Sequence, residues 1–388
     1  MRLLLVPSWY PRPGAEHLGS FFREQALMLA RAGIGVSVLA TEAVRVEDPA
    51  WLRLPSARIE DGIRVVRLAL PSLPPALASL ESLLRSRLVA RAAGIVEDEG
   101  APDLVHAHTV LPGGASGRVL AKRWGVPLVL TEHRPSSIDS PAFLARARSV
   151  EAAVGGAALL TTVSPGFAEA LGQRYPGTRW QAVELPVPDL FFDEPRVPRE
   201  PGASVRFAHV SHVDANKRVV ETCRAFLEAF GDSEEASLEI AGGTPEAIAE
   251  AEAAIGGPHP SIRFLGRLGR SATARVLARS EVFVLLSAVE AGGTVFSEAR
   301  AAGCRLLASD TWAGRFAVGG GAGEIVPVDD HGAAVEAMRR LASACAEDAS
   351  EGLREAARAR YSEEAFVRCW GRLYREALEG SGSKGESR

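Results

Sequence analysis

The sequence predicts an α/β protein with two domains, each built around a doubly wound parallel sheet. Short apolar runs alternate with helical segments over about residues 3–132, and the same alternation starts again near residue 205. Strands that alternate with helices in this way are typical of parallel sheets with helices on both faces. A chain of 388 residues, 47% hydrophobic and 24% charged, is long enough for two such domains.

In the first half, the apolar run Leu3–Val6 predicts the first strand. A loop rich in proline and glycine runs from Ser8 to Gly19 and leads to a helix from Ser20 to about Ala32, which Gly33 ends. Further strands are predicted at residues 36–39, 63–70, 103–108 and 126–132, and further helices at residues 75–99 and 113–124.

The second half repeats the pattern after a segment rich in proline and charge at residues 185–202, which indicates a linker. Strands are predicted at residues 205–211, 238–241, 282–286 and 305–309, with helices between them. An Ala- and Arg-rich helical region covers residues 336–374. We therefore predict domains at residues 1–186 and 187–362, a terminal helix at 363–379, and a disordered tail at 380–388.

Composition excludes some classes of protein. The net charge of −4 is unlike that of a basic nucleic-acid-binding protein. Four cysteines without metal-ligand spacing indicate reduced thiols, as in cytoplasmic proteins. The apolar start is too short for a signal peptide, and no run approaches the ~20 apolar residues of a membrane span. We expect a cytoplasmic protein with at most peripheral contact with the inner face of the membrane.

The stretch from Ser287 to Arg305 carries the main chemical signal. A buried strand is followed by a loop with Glu290 and the pair Gly292-Gly293, and then by a helix that starts at about Thr294. This order places backbone N–H groups where an anionic diphosphate can bind. Glu298 lies about one turn inside the helix and leans back towards the same ligand.

Two carboxylates on either side of a diphosphate suit a nucleotide sugar, which has a sugar at one end and a ribose at the other. The alternative is a solvated glutamate on a loop and a second glutamate on a helix surface. Because the strand, the glycine pair and the helix follow in the required order, the sequence favours the binding site.

Glu290 and Glu298, with Gly293-Thr294-Val295 between them, resemble the E-x7-E signature of glycosyltransferase family 4. These are retaining enzymes of the GT-B fold. The resemblance implies that Glu290 contacts hydroxyls of the donor sugar and that Glu298 holds the ribose, while amides of residues 292–295 meet the diphosphate. It also implies two Rossmann-like domains that face a cleft, the first for the acceptor and the second for the nucleotide sugar, with the C-terminal helix crossing back to the first.

Other parts of the second half resemble the same family. Lys217 is similar to the lysine of the "GRLxxxKG" element, which neutralises the leaving diphosphate, and lysine is rare in this chain, with three in all. His212 stands where the family has arginine, so one fixed cation is missing unless His212 is protonated or Arg218 substitutes for it. Arg267 and Leu268 belong to a segment similar to "VxFLGxL", whose backbone meets the nucleobase. The alternative for Lys217 is a surface charge at a helix start.

In the first half, the resemblance implies that Gly19 lies in a loop over the diphosphate and that His133 contacts the donor sugar or its diphosphate. We interpret His106 and His108, which share one strand face, as strand-end histidines with satisfied hydrogen bonds. Three histidines can also indicate zinc, but no spacing or carboxylate partner supports a metal site here.

The predicted helix at residues 75–99 carries Arg85, Arg87 and Arg91 near several leucines. Basic amphipathic helices can lie on membranes. An ordinary surface helix explains the pattern equally simply and is favoured. The arginines are also candidates for contact with an anionic acceptor.

Together these features predict a retaining, metal-independent hexosyltransferase without a cofactor. It would move a sugar from a nucleoside diphosphate sugar, most simply a UDP-sugar, to a small-molecule, glycan or lipid-linked acceptor in polysaccharide, glycolipid or natural-product biosynthesis. One alternative is a nucleotide-sugar epimerase of the same fold, which would turn over its substrate without an acceptor. The other is a non-catalytic sugar-nucleotide-binding protein, which would bind UDP without transfer.

Overall fold

The computed structural model describes residues 1–16, 18–98, 100–345 and 349–382. The chain forms two compact units. Unit 1 contains Met1–Val183 together with the chain from Val367 onward, and unit 2 contains Glu184–Phe366. Each unit has one central sheet with helices between its strands, as the sequence predicts for an α/β fold.

The sheet of unit 1 has eight strands in the order β3-β4-β2-β1-β5-β6-β7-β8. All neighbours are parallel except β3 and β4, which form a hairpin closed by Asp61 and Gly62, both with positive φ. This hairpin was not predicted from the sequence. The strands are β1 (Arg2–Pro7), β2 (Gly35–Arg45), β3 (Ser56–Glu60), β4 (Ile63–Ser72), β5 (Leu104–His108), β6 (Leu128–Glu132), β7 (Leu159–Thr162) and β8 (Trp180–Ala182).

The helices of unit 1 follow the predicted order. They are α1 (Ser20–Arg31), α2 (Ala78–Glu97), α3 (Ala115–Trp124), α4 (Pro141–Leu144), α5 (Ala147–Gly155) and α6 (Pro165–Arg174). The helix predicted at residues 75–99 begins as a 3₁₀ turn at Pro75–Leu77, because proline fits the first turn of a helix but not its interior. Residue 99, the predicted end of that helix, lies outside the described residues.

The sheet of unit 2 has six parallel strands in the order β11-β10-β9-β12-β13-β14. They are β9 (Val205–Val210), β10 (Ala236–Ala241), β11 (Ile262–Gly266), β12 (Val282–Leu285), β13 (Arg305–Ser309) and β14 (Gly323–Val326). The helices are α7 (Asp189–Asp193), α8 (Val219–Phe230), α9 (Pro245–Ala254), α10 (Arg270–Ala278), α11 (Thr294–Ala301), α12 (Trp312–Val318), α13 (His331–Ala344) and α14 (Ser350–Tyr361).

The Ala- and Arg-rich region at residues 336–374 is not one helix but parts of three. The last of them, α15 (Glu363–Gly382), begins in unit 2 and continues into unit 1. Ser362 separates α14 from α15, because its backbone is extended and its hydroxyl accepts a hydrogen bond from the N–H of Ala365 at 3.3 Å. The tail predicted from residue 380 is helical as far as Gly382, and its remaining residues, 383–388, lie outside the described residues.

Each sheet reverses its strand order at one point. In unit 1 the reversal lies between β1 and β5, and in unit 2 it lies between β9 and β12. Open α/β sheets bind ligands outside the carboxyl ends of the strands at such a switch point. The loops after β1 and β5, and those after β9 and β12, are therefore where each unit is expected to bind a ligand.

Buried aromatic packing fixes the helix that follows β12. All four residues of β12 are fully buried, and the ring of Phe283 meets that of Phe296 edge to face, with centroids 5.8 Å apart. Burying a phenylalanine side chain stabilises a fold by about 1.5–3 kcal/mol. This contact therefore holds the start of α11 against the carboxyl end of β12.

Candidate functional site

Lys217 and Glu290 meet at the switch point of unit 2. Lys217 ends a 3₁₀ turn, Ala215–Lys217, that follows β9, and Glu290 lies in the loop after β12. The Lys217 ammonium forms an ion pair with the Glu290 carboxylate, and the two side chains are only 19% and 16% exposed. The structure thus brings together the predicted diphosphate ligand and the predicted sugar ligand, which are 73 positions apart in the chain.

Asn216 links the two loops that carry this pair. Its side-chain amide donates to the Val289 carbonyl at 3.0 Å, and its side-chain oxygen accepts from the Val289 N–H at 3.0 Å. Its own carbonyl accepts from the Ala288 N–H at 2.8 Å. These three bonds hold Glu290 opposite Lys217. This role of Asn216 was not predicted from the sequence, although it is the only asparagine in the chain.

The glycine pair gives α11 an open N-terminus. Gly293 has φ +51°, and a Cβ there would lie 2.7 Å from Cδ2 of Phe296 and 3.2 Å from Cγ of Glu290. No side chain of the described residues caps the helix before Thr294. An uncapped helix start leaves backbone N–H groups for an anion. The predicted amides of residues 292–295 therefore lie directly after Glu290, at the start of a helix that can accept a diphosphate.

Glu298 is buried, and the structure gives it a partner that the sequence analysis did not predict. Its Oε1 accepts a hydrogen bond from Nη1 of Arg270 at 2.6 Å, and only 6% of the Glu298 side chain is exposed. The Arg270 guanidinium also lies over the Phe191 ring, 4.9 Å from its centroid. A ribose hydroxyl at Glu298 would have to share this carboxylate with Arg270.

The other donor-binding residues predicted for unit 2 are spread along the carboxyl edge of its sheet. Arg218 has φ +52°, and its Nη1 forms an ion pair with Asp329, while its Nε is buried without a hydrogen-bond partner. His212 is exposed in the loop after β9. Arg267 and Leu268 follow β11, which is separated from β9 by β10, and Leu268 packs on the hydrophobic core.

His133 lies in unit 1, in a group of rings at the end of β6. Its Nε2 is 3.1 Å from Nδ1 of His108, and its ring contacts those of Phe21 and Phe22. Burial, together with the smaller effect of the neighbouring Arg134, lowers the pKa of His133 to about 3. His133 is therefore neutral at pH 7, so it can offer a hydrogen bond but not a fixed charge.

The interpretation of His106 and His108 as satisfied histidines is confirmed. His106 is 2.7 Å from the Thr131 hydroxyl through Nε2 and 2.9 Å from the Tyr374 hydroxyl through Nδ1. His108 is bonded to His133. Burial lowers the pKa of both rings well below 6.5. Among residues 1–16, 18–98, 100–345 and 349–382, no group of three His, Cys, Asp or Glu side chains could hold a metal ion.

Gly19 is the residue from which α1 starts. It has φ +75°, and a Cβ there would lie 2.8 Å from the Trp9 ring and 2.9 Å from the Trp9 carbonyl. Phe22, in the first turn of α1, packs edge-on against His133 with ring centroids 5.2 Å apart. Gly19 therefore allows the close packing that places α1 beside His133.

Comparison with known families agrees with the fold and identifies the family. Residues 18–188 match the family described as "Glycosyl transferase 4-like domain", and residues 205–344 match "Glycosyl transferases group 1". The chain belongs to the group 1, or family 4, glycosyltransferases, and it is a transferase that uses a nucleotide sugar. No curated protein matches the sequence.

Solved structures show the same GT-B fold over nearly the whole chain. Sucrose-phosphate synthase from Thermosynechococcus elongatus is 20% identical, with a TM-score of 0.74 over 98% of this chain and 99% of that one. Anabaena HepE in complex with UDP and glucose is 17% identical, with a TM-score of 0.67 over 96% and 99%. An α,α-trehalose-phosphate synthase (UDP-forming) from Burkholderia vietnamiensis is 17% identical, with a TM-score of 0.68 over 97% and 99%.

No helix in the described part of the chain has the length and apolar character needed to span a bilayer.

Proposed function

We propose that the protein is a retaining glycosyltransferase that moves a sugar from a UDP-sugar to a hydroxyl group of an acceptor, without a metal ion or a cofactor. The observation that carries this proposal is the Lys217–Glu290 pair at the switch point of unit 2, next to the uncapped start of α11. A cation, a carboxylate and a row of backbone N–H groups together match a diphosphate that is joined to a hydroxylated sugar.

The reaction needs charge stabilisation more than a protein base. The acceptor oxygen forms a bond to the anomeric carbon while the bond from that carbon to the diphosphate oxygen breaks. The electron pair of the broken bond stays on the diphosphate, which also takes the proton of the acceptor hydroxyl. For retention, the acceptor approaches from the face that the diphosphate leaves. Lys217 and the amides of α11 stabilise the developing charge, which is worth several kcal/mol in comparable sites.

Each predicted donor ligand has a proposed role. On arrival of the donor, Lys217 exchanges the Glu290 carboxylate for the diphosphate, and Glu290 turns to hydroxyls of the sugar. Glu298 binds the ribose together with Arg270, which already bonds it. His133 contacts the sugar as a neutral hydrogen-bonding group. The backbone at Arg267 and Leu268 is proposed to meet the nucleobase.

UDP is the proposed nucleoside diphosphate because two structurally similar proteins, Anabaena HepE and the UDP-forming trehalose-phosphate synthase, are described with it. The proposed setting is the assembly of a polysaccharide, a glycolipid or a glycosylated natural product on the cytoplasmic side of the membrane.

A panel of UDP-, GDP- and ADP-sugars in a thermal-shift assay tests the donor assignment before any acceptor is known. We expect a UDP-sugar to raise the melting temperature of the wild type and to have little effect on Lys217→Ala. Lys122→Ala is the matched control, because Lys122 is exposed on α3 in the other unit. Equal stabilisation of all three proteins would contradict the proposed donor site.

A further inference from the structure

Unit 1 contains a cavity of about 410 Å³ that the donor site does not use. It opens at the carboxyl edge of the unit 1 sheet, where β4 ends and where the loops after β5 and β6 begin. Its walls are mostly apolar and include Phe143. Its charged lining consists of Glu81, Arg85, Arg134 and Arg146, and we call it the Arg85 cavity.

Glu81 makes its two shortest side-chain contacts with one of the three arginines, Arg146. Its Oε1 accepts from Nε of Arg146 at 2.7 Å, and its Oε2 accepts from Nη2 of Arg146 at 2.6 Å. The Leu73 N–H donates to Oε2 as well, at 2.8 Å. Arg146 and Glu81 therefore form a bidentate ion pair, with two parallel N–H···O hydrogen bonds between the guanidinium and the carboxylate. Glu81 therefore bonds mainly to Arg146 and forms a longer ion pair with Arg85, so one negative charge faces three positive charges in the lining.

Arg85 is a buried cation with an unused donor. The residue is only 5% exposed, and its closest approach to Glu81 is 3.7 Å. Its Nη2 donates to the hydroxyls of Ser149 at 2.9 Å and Ser82 at 3.2 Å, whereas its Nε is buried without a hydrogen-bond partner. Buried donors are nearly always satisfied in folded proteins. Because the Nε has almost no exposed surface, it is other atoms of Arg85 that line the cavity and that a ligand can reach.

Arg134 is the third arginine of the cavity, and unlike Arg85 and Arg146 it forms no ion pair within the described residues. The nearby Glu132 carboxylate already accepts from the backbone N–H groups of Val110, His133 and Arg134 at 2.7–2.8 Å. The Arg134 guanidinium lies over the Trp9 ring instead, 4.1 Å from its centroid. Burial lowers the pKa of both Arg85 and Arg134, although arginine stays protonated in proteins. The cavity therefore carries an excess of two positive charges.

We propose that the Arg85 cavity binds the acceptor, and that the acceptor carries a phosphate monoester, which Arg85 and Arg134 hold. A phosphate monoester has a charge of about −1.5 to −2 at pH 7 and three acceptor oxygens, which matches the two excess positive charges of the guanidinium groups that line the cavity. The apolar walls accommodate the uncharged part of the molecule. This proposal rests on the proposed function, since a transferase needs a second substrate. Of the three arginines of α2 that were candidates for contact with an anionic acceptor, the proposal keeps only Arg85, because Arg87 and Arg91 are exposed outside the cavity.

Calorimetric titration of the full-length protein with glucose 6-phosphate and with glucose tests the soluble form of this chemistry. Sedimentation with phosphatidylcholine vesicles, with and without phosphatidate, tests the lipid form. We expect at least one phosphate compound to bind more than tenfold tighter than its uncharged counterpart. Arg85→Met and Arg134→Met should each weaken that binding roughly tenfold to a hundredfold, the usual worth of a charge-assisted hydrogen bond. Binding in the calorimetric titration would identify a soluble phosphate ester as the acceptor, and binding in the sedimentation experiment would identify a phospholipid.

Two control variants make the result specific. Arg87→Met removes the same charge from the exposed side of α2 and should leave binding unchanged. Lys217→Ala removes the cation of the donor site and should weaken UDP binding but not phosphate-ester binding, so the two proposals can fail separately. If Arg85→Met does not fold, Arg134→Met decides the question, because Arg134 makes no ion pair within the described residues. Equal binding of charged and uncharged compounds, or binding that depends on Lys217 or Arg87 instead, would overturn the assignment.

Discussion

The two units reverse their strand order in the same way, but only one of them places charges at the reversal. In unit 2, Lys217 and Glu290 stand there with an open helix start beside them. In unit 1, the chain fills its own switch point. The N–H of Gly113 donates to the Ser8 hydroxyl at 2.9 Å, and a Cβ on Gly113 would lie 2.5 Å from the His108 carbonyl.

This difference shows that topology fixes where a ligand can bind but not what binds there. The parallel sheet brings the same loops together in both units, and their residues then decide the chemistry. Unit 2 offers a cation and amides for a diphosphate. Unit 1 offers neutral histidines, while its charged arginines line a cavity displaced towards β4.

Replacing Lys217 by alanine should have the largest effect on transfer. Loss of one preorganised donor to a developing anion costs about 10²–10³ in kcat. Steady-state transfer assays with a UDP-sugar measure this loss, and Glu290→Ala should also abolish most activity. The melting temperature should stay close to that of the wild type, and Lys122→Ala should retain full activity. Wild-type turnover by Lys217→Ala and Glu290→Ala would remove the basis for assigning the donor to unit 2.

Gly293→Ala should weaken donor binding roughly tenfold or more, because the new methyl group meets the Phe296 ring at 2.7 Å and disturbs the start of α11. Gly320→Ala is the matched control. Gly320 also has positive φ, +82°, but a Cβ there has nothing within 4 Å. Both variants lose about 1–2 kcal/mol of stability to the left-handed backbone. Titration with UDP separates them, and an equal affinity in both variants would show that the helix start does not bind the diphosphate.

Asn216→Ala should lower kcat about tenfold while changing KM less, since it removes two hydrogen bonds that place the loop of Glu290. Asn216→Asp keeps the oxygen that accepts from the Val289 N–H, so it should recover part of the loss. A purely structural role would instead lower the melting temperature of both variants without this difference in kcat.

The sequence was sufficient for β1, β2, β4, β5, β6, β9, β10, β12 and β13 and for the helices α1, α2, α3 and α11, because buried strands and glycine turns are local signals. Two other features have clear signals in the sequence but were not predicted. Asp61-Gly62 is a common hairpin turn, and it closes the β3–β4 hairpin. The rarity of lysine drew attention to Lys217, and asparagine is rarer still, since Asn216 is the only one in the chain.

Other features depend on contacts between distant parts of the chain and could not be predicted. The pairing of Glu298 with Arg270 spans 28 positions, and that of Glu81 with Arg146 spans 65. The sequence does not distinguish the three arginines of α2, and of these only Arg85 lines the cavity. The packing of the sheet and the neighbouring helices decides which face of α2 is buried. The proposed roles of the site residues stay predictions until binding is measured.

The smallest expected effect concerns acid stability, and it also distinguishes the two units. In unit 1, burial lowers the pKa of His106, His108 and His133, the last to about 3. Each titrates near 6.5 in the unfolded chain. Below pH 6.5 the unfolded state therefore binds more protons, so the free energy of unfolding is highest above pH 6.5 and falls as the pH decreases towards the folded pKa values.

His108→Gln should reduce this pH dependence by up to about 1.4 kcal/mol per pH unit, since glutamine does not ionise. Urea denaturation between pH 6 and 4.5 measures the slope. In unit 2, burial lowers the pKa of His209 to about 4. The free energy of unfolding of unit 2 should therefore also fall as the pH decreases, but less steeply, because fewer of its histidines are buried. Hydrogen exchange at pH 5 should therefore show unit 1 losing protection before unit 2. The opposite order would mean that the histidines beside His133 are hydrated in solution, and that this part of unit 1 is open to ligands rather than filled by the chain.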